Sequence, residues 1–214
     1  MERNLTDKQL NRLANGREYR AMSMECREGE EDRMVVEGYA CTFGQPYDLY
    51  DSVDYKVTEQ IDAHAFDGCD MSDVIMQYDH EGRVFARNRN DTLSLVVDSV
   101  GLKITAELGG TDIGRQLYQE IKGGYTDKMS FAFVVAEDKR ETLRDHETGK
   151  VTVVRTITKI KKLYDVSAVS IPANGMTSIS ARRFADGVIC QIKAERLERA
   201  NKIKKLKLLM EVLK

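Results

Sequence analysis

Apolar and polar residues alternate in short runs from residue 34 to residue 171. The runs are rich in β-branched and aromatic residues, and clusters of glycine, asparagine and aspartate separate them. Such alternation between closely spaced turns is typical of β-strands. Strands are predicted over residues 34–43, 55–61, 72–78, 83–87, 92–97, 102–108, 127–134, 151–158 and 162–171. Many short strands with few helices predict a mainly β domain, a closed or nearly closed and mostly antiparallel β-barrel with flanking helices.

Two segments follow the helical period instead. Thr111 is predicted to cap a helix that Gly123 ends. Its apolar positions recur at every fourth residue, at Ile113, Leu117 and Ile121. A long helix is predicted from residue 184 onward, with heptad-like apolar spacing at Ile203, Leu206, Met210 and Leu213. This second helix either packs on the barrel with a solvated outer face, or binds a partner or a second copy of the chain.

Charge divides the chain into three parts. Residues 25–32 carry five acidic residues and one arginine, so residues 1–32 are predicted to form a flexible N-terminal arm. Residues 33–182 are assigned to the barrel, from which residues 137–150 are expected to depart as a charged excursion. Residues 191–214 carry eight basic and three acidic residues, so residues 183–214 are predicted to form a basic amphipathic helix.

The composition excludes several classes of protein. The net charge is −2 and no apolar run reaches the length of a membrane span, so no global bias toward nucleic acid or membranes is present. The four cysteines, Cys26, Cys41, Cys69 and Cys190, have no CxxC spacing. With no signal peptide recognisable, we expect reduced thiols and a cytoplasmic location.

Three polar residues interrupt or directly follow apolar strands. Ser130 lies between bulky apolar neighbours, His80 follows a strand directly, and Asp165 lies within a strand that otherwise looks buried. Each has an ordinary interpretation, as a small strand residue, a structural histidine or a paired carboxylate. Together they match the roles of nucleophile, base and orienting acid, which need convergence in space and no particular order in the chain.

The order of several short motifs resembles the prohead maturation protease family of tailed bacteriophages. The motifs are VEGYA (36–40), HAF (64–66), YDHE (78–81), NDTLS (90–94), GL (101–102), MSFAF (129–133) and DVSAVSIPAN (165–174). The family is distantly similar in fold to the herpesvirus capsid-assembly protease, a serine protease built on a closed β-barrel.

The resemblance implies roles for particular residues. Ser130 matches the nucleophile of the family and His80 matches its histidine. The herpesvirus enzyme has a second histidine where this chain has the segment around Asp165, so Asp165 is the first candidate for the third member. Glu81 and Asp79 are weaker candidates. Backbone N–H groups at Ala173 and Asn174 are candidates for stabilising the oxyanion.

The function implied is that of a maturation serine endopeptidase. It would cleave a scaffold protein or the scaffolding arm of the major capsid protein, and itself, inside the immature capsid in the host cytoplasm. No metal or cofactor is implied, and a homo-oligomer such as a dimer is expected. The basic C-terminal helix is a candidate for binding an acidic scaffold. Two other hypotheses remain open: a non-enzymatic scaffold or assembly factor on the same barrel, and a cytoplasmic barrel that binds a small ligand.

Overall fold

The computed structural model describes residues 11, 14–26, 34–170 and 175–212, with the backbone alone for residues 21–26, 175–183, 208, 211 and 212. The strands are β1 (Arg17–Cys26), β2 (Val35–Thr42), β3 (Tyr47–Asp51), β4 (Tyr55–Ile61), β5 (Ile75–Tyr78), β6 (Glu81–Arg87), β7 (Leu93–Val97), β8 (Gly101–Glu107), β9 (Lys128–Arg144) and β10 (Val151–Val169). The helices are α1 (Asp112–Lys122) and α2 (Gly175–Val212), and a 3-10 turn covers Asn88–Asn90.

The strands form one sheet around the long hairpin of β9 and β10. Its main path runs β3-β4-β10-β9-β1-β2-β8-β7, and β5 and β6 extend it from β10. β10 pairs in parallel with β4 through its first half and with β5 through its second half, whereas the other strand pairs are antiparallel. The mainly β, largely antiparallel prediction is confirmed. Closure into a barrel is not confirmed, because β3 and β7, at the two ends of the path, each pair with one neighbouring strand in the described ladders.

The core lies on one face of this sheet, under α1. Met129, Phe131 and Phe133 point to that face of β9 by the period of two, and the two phenylalanine rings stack with centroids 4.6 Å apart. α1 buries Leu117, among others, against the same cluster. The predicted cap of α1 is confirmed, because the Thr111 hydroxyl oxygen accepts the Gly114 N–H at 3.1 Å.

Part of the predicted N-terminal arm is a strand in the middle of the sheet. Residues 17–26 form β1 and pair with both β9 and β2, so the prediction of a flexible arm is wrong for these residues. The charged side chains of β1 made it look like an arm, because a partner of Glu18 is Arg155 and a partner of Arg20 is Glu59, both far away in the chain. Residues 1–10 lie outside the described residues.

The predicted charged excursion is also part of the sheet. Residues 137–144 continue β9 and stay paired with the first half of β10, so only residues 145–150 form the turn. Their side chains are mostly exposed. The pairing uses backbone hydrogen bonds, so this ribbon needs no alternation of apolar side chains.

The helix predicted from residue 184 begins earlier, at Gly175, and its parts have different surroundings. Ala185 and Val188 are buried against Val57, Val151 and Val153 of the sheet. Beyond Ile192, large apolar side chains are exposed at Leu197, Ile203, Leu206, Leu209 and Met210. Leu213 lies outside the described residues. The helix therefore packs on the sheet through its first part, and its apolar seam is exposed at Ile203, Leu206 and Met210.

Three further features concern chemistry and location. Cys41, Cys69 and Cys190 are free thiols, and burial raises the pKa of Cys41 to about 12. Across the described residues, histidine, cysteine and acidic side chains form no group that could hold a metal ion. Neither described helix combines the length and apolar character needed to cross a membrane.

Candidate active site

His80 is presented by a two-residue turn between β5 and β6. Tyr78 pairs with Glu81, and the two residues between them, Asp79 and His80, both have positive φ angles of 48° and 62°. That combination defines a turn whose twist suits a hairpin, but it is strained for residues other than glycine or asparagine. The carboxylate of Asp79 helps to hold the turn, since it accepts the N–H and the hydroxyl of Ser170 at 3.1 and 3.0 Å. The turn is thereby held by the hairpin on one side and by Ser170 on the other, which limits the positions that the imidazole can take.

Ser130 lies on the central strand β9, on the face opposite the core. Its neighbours Met129 and Phe131 point into the core, so the Ser130 side chain points to the other side of the sheet. In the ladders Ser130 lies between Ala21 of β1 and Ser167 of β10. A residue paired on both sides in this way has little freedom to move.

Asp165 reaches the same place from β10. An irregularity in register between Leu163 and Asp165 sets the face to which the carboxylate points. Oδ1 accepts the hydroxyl of Ser167 at 2.7 Å and lies 2.5 Å from Nδ1 of His80. A buried carboxylate needs such partners, because burying the charge alone would cost several kcal/mol, roughly.

The three side chains form one hydrogen-bonded chain. Nε2 of His80 lies 2.7 Å from Oγ of Ser130, and Nδ1 contacts Asp165. The pairing favours the tautomer in which Nδ1–H donates to the carboxylate and Nε2 accepts the serine hydroxyl. His80 and Ser130 are 0 % exposed and Asp165 is 3 % exposed. The Tyr19 ring packs edge-on against the imidazole with centroids 4.7 Å apart. Such a chain can move a proton from the serine to the imidazole.

The remaining predicted site residues lie elsewhere. Asp79 binds Ser170, as described above. Glu81 lines a cavity of about 640 Å³ between the β5–β6 hairpin and α1. Ala173 and Asn174 lie outside the described residues. The other two histidines are exposed, and His64 contacts Asp67 at 3.1 Å.

Sequence reasoning missed a second buried polar cluster, which joins β1, β3, β4, β9 and β10. Arg20 binds Glu59 through two nitrogens at 2.6 and 2.8 Å. Arg155 binds Glu59 and Glu18, both at 2.7 Å, and Asp138 at 2.6 Å. The Tyr47 hydroxyl donates to Glu59 at 2.5 Å. The available signal was a charged residue inside each of the predicted strands 55–61 and 151–158.

The cluster keeps Glu59 ionised in a buried place. Burial alone would raise the pKa of Glu59, but the guanidinium of Arg20 and then that of Arg155 more than offset it, and the pKa lies below its ordinary value of 4.5. Burial would likewise lower the pKa of Arg20, and Glu59 reverses this so that the pKa is raised. Each ion is stabilised by its partners, so the cluster ties the first strand to the hairpin.

A protein-family model matches most of the chain. The model of the family described as Caudovirus prohead serine protease matches residues 21–188, a range that contains Ser130, His80 and Asp165. The comparisons with curated proteins and with solved structures gave no match.

Proposed function

The chain belongs to the caudovirus prohead serine protease family, and from this premise we propose that Ser130, His80 and Asp165 are the catalytic triad of a capsid-maturation endopeptidase. The observation that carries the proposal is the unbroken hydrogen-bonded chain from the Ser130 hydroxyl through His80 to Asp165, with contacts of 2.7 and 2.5 Å. These are the distances that a nucleophile, its base and an orienting acid require.

The proposed mechanism starts with a peptide bond placed against Ser130. Oγ attacks the carbonyl carbon while Nε2 of His80 takes the hydroxyl proton. The imidazolium then protonates the leaving amine, the C–N bond breaks, and an acyl-enzyme ester remains. A water molecule, deprotonated by His80, then attacks this ester, the bond between the acyl carbon and Oγ breaks, and His80 returns the proton to Oγ as the second product leaves.

The other polar groups have supporting roles in this proposal. Asp165 holds the His80 tautomer and balances the charge of the imidazolium, and the Ser167 hydroxyl keeps the carboxylate in place. The negative charge on the tetrahedral intermediate needs preorganised donors, and the backbone N–H groups of Ala173 and Asn174 are the candidates.

The closed surroundings of the triad favour a latent state. Because Ser130 and His80 are fully buried, a polypeptide reaches Oγ only after neighbouring segments move. A protease that must not digest its scaffold before assembly is complete benefits from such closure. We therefore include in the proposal that the isolated chain is only partly latent: it cleaves slowly, and assembly into the shell raises its rate.

The proposed substrates follow from the family. They are a scaffold protein or the scaffolding arm of the major capsid protein, and the chain itself, within the immature capsid in the host cytoplasm. The exposed basic part of α2 is the proposed attachment to an acidic scaffold, because its lysines and arginines face solvent and complement acidic side chains.

Co-expression with the capsid protein tests the enzymatic proposal. The wild-type chain is expected to yield shortened capsid or scaffold products, and Ser130→Ala is expected to yield none. Ser167→Ala serves as the matched control, because it removes a neighbouring buried hydroxyl and leaves the nucleophile. Identical full-length bands for wild type and Ser130→Ala would instead favour the non-enzymatic assembly factor.

A further inference from the structure

A groove lies beside the triad on the face of the sheet that carries Ser130. Its volume is about 330 Å³, and Asp165 forms part of its wall. The polar residues that line it are Arg17, Asp73, Gln77, Arg87, Tyr164 and Asp165. The groove thus adjoins the proposed catalytic residues without containing the nucleophile.

The strand register gives the position of the groove relative to Ser130. Ala21 of β1 pairs with Ser130, and Arg17 of β1 pairs with Val134. Residues 17, 19 and 21 share one face by the period of two, and Tyr19 on that face contacts His80. Four residues of extended strand cover about 13 Å. Arg17 therefore lies on the same face as Ser130. An extended substrate with its scissile bond at Ser130 would bring a residue about four positions away close to Arg17.

The charges in the groove leave one cation without a carboxylate. Asp73 is bound by Arg87 at 2.5 Å, and Asp165 is bound by His80 and Ser167. Arg17 stacks on the Tyr164 ring, with its guanidinium carbon 3.5 Å from the ring centroid. Within the described part of the chain, Arg17 forms no ion pair and the Tyr164 hydroxyl forms no hydrogen bond.

Stacking prepares Arg17 to bind an anion. The ring holds the plane of the guanidinium, and its N–H donors lie in that plane, in the fork that matches a carboxylate. The half-buried Tyr164 adds a hydroxyl donor at the same wall. Two donors without acceptors, in a groove next to a nucleophile, form a site for an acidic side chain.

We infer that the groove is a substrate subsite in which Arg17 and Tyr164 bind a glutamate or aspartate side chain about four residues from the cleaved bond. The inference rests on the proposed endopeptidase function and gives it a specificity. Arg17 lies outside residues 21–188, the range that the family model matches. The acidic preference is therefore expected to belong to this chain and its near relatives.

Cleavage of a proteome-derived peptide library by the full chain tests the inference. New termini are identified by mass spectrometry for wild type, Arg17→Ala, Arg17→Glu and Arg17→Lys, with Ser130→Ala as the blank. Arg144→Glu is the matched control, because it reverses an exposed arginine at the far end of β9.

The wild type is expected to select acidic residues at the third to fifth position on one side of the cut. For a well-cleaved acidic peptide, exchange of that residue for its amide should lower kcat/KM about tenfold, mainly through KM. Arg17→Ala should remove this discrimination, Arg17→Glu should reverse it toward basic residues, and Arg17→Lys should keep part of it.

Three results would overturn the inference. Cut sites without acidic enrichment, or cut sites that are the same for wild type and Arg17→Glu, would remove the subsite and leave the protease intact. Absence of cleavage above the Ser130→Ala blank would remove the proposed function, and the subsite with it.

Discussion

Nδ1 of His80 lies 2.5 Å from Oδ1 of Asp165, although 85 positions separate the two residues in the chain. The parallel pairing of β5 with β10 brings them together, because Tyr78 pairs with Ala168 and the Asp79 N–H donates to the Ala168 carbonyl, so that the His80 side chain can contact Asp165. The acidic neighbours of His80 in sequence, Asp79 and Glu81, do not take this place. Proximity in the ladder, and not in the chain, selects the acid that faces the imidazole.

Asp165→Asn is expected to lower kcat by about three to four orders of magnitude while the fold is kept. The amide favours the wrong imidazole tautomer and no longer balances the imidazolium. Cleavage of a peptide substrate, alongside circular dichroism, measures the effect. Near wild-type kcat in a folded Asp165→Asn variant would exclude Asp165 from the triad.

Ser167→Ala separates support of Asp165 from catalysis itself. The Ser167 hydroxyl donates to Asp165, at the carboxylate end of the hydrogen-bonded chain, away from the Ser130–His80 hydrogen bond. Its loss should lower kcat/KM only roughly fivefold, in line with about 1 kcal/mol for one net hydrogen bond. An effect as large as that of Asp165→Asn would instead place Ser167 in the proton-transfer chain.

Asp79→Ala is expected to reduce activity although the residue does not contact the imidazole. The change removes two hydrogen bonds to Ser170 and places alanine in a left-handed conformation, at a cost of about 1–3 kcal/mol. Denaturant unfolding and peptide cleavage are measured together.

Asp91→Ala is the matched control for the Asp79 experiment. Asp91 also has a positive φ angle, of 61°, but it follows the 3-10 turn at Asn88–Asn90 and contacts no triad residue. It should lose stability with unchanged kcat. Equal kcat values for the two variants would show that the Asp79 anchor has no influence on His80.

The ion cluster predicts a specific dependence of stability on pH. The pKa of Glu59 is below 4.5 in the folded chain, so ionised Glu59 stabilises the fold fully above pH 4.5, and this contribution is lost as the pH falls through the lower folded value. Glu59→Gln should lower the free energy of unfolding at neutral pH by about 3–5 kcal/mol, because two buried arginines lose their shared partner.

Unfolding measured from pH 7 to pH 2 separates this effect from simple damage to the core. The difference between wild type and Glu59→Gln should shrink as the pH falls below 4.5, because protonated glutamate resembles glutamine. Val57→Ala, in the same strand, removes apolar packing and should give a difference with little dependence on pH. A constant difference for Glu59→Gln would contradict the electrostatic explanation.

The parts of the fold that depend on local patterns could be predicted from sequence. The strand over residues 127–134 and the start of α1 at Thr111 are correctly predicted, because side-chain period and capping act within a few residues. Ser130 and Asp165 were recognisable because each is a polar residue within an apolar strand. His80 was recognisable because it directly follows such a strand.

Other parts could not be predicted, because their causes are not local. In β1 the charged residues Glu18 and Arg20 are compensated by Glu59 and Arg155, which are distant in sequence, so the local pattern resembles that of an arm. The same period of two fits an open sheet and a closed barrel equally well, because closure depends on which end strands pair. What covers the exposed seam of α2 likewise cannot be predicted, because no pattern within the chain identifies a partner.

Truncation of α2 after Ile192 is expected to leave peptide cleavage intact and to abolish incorporation into capsid shells. The packed part of the helix, around Ala185 and Val188, is retained, whereas the exposed seam and its basic flanks are removed.

Charge reversal of Lys204, Lys205 and Lys207 to glutamate keeps the seam and the helix, and it should also prevent incorporation if the partner is acidic. Shells isolated from co-expressing cells are assayed for the chain. Normal incorporation of the truncated chain would refute the docking role of α2, and normal incorporation of the charge-reversed chain alone would assign docking to the apolar seam.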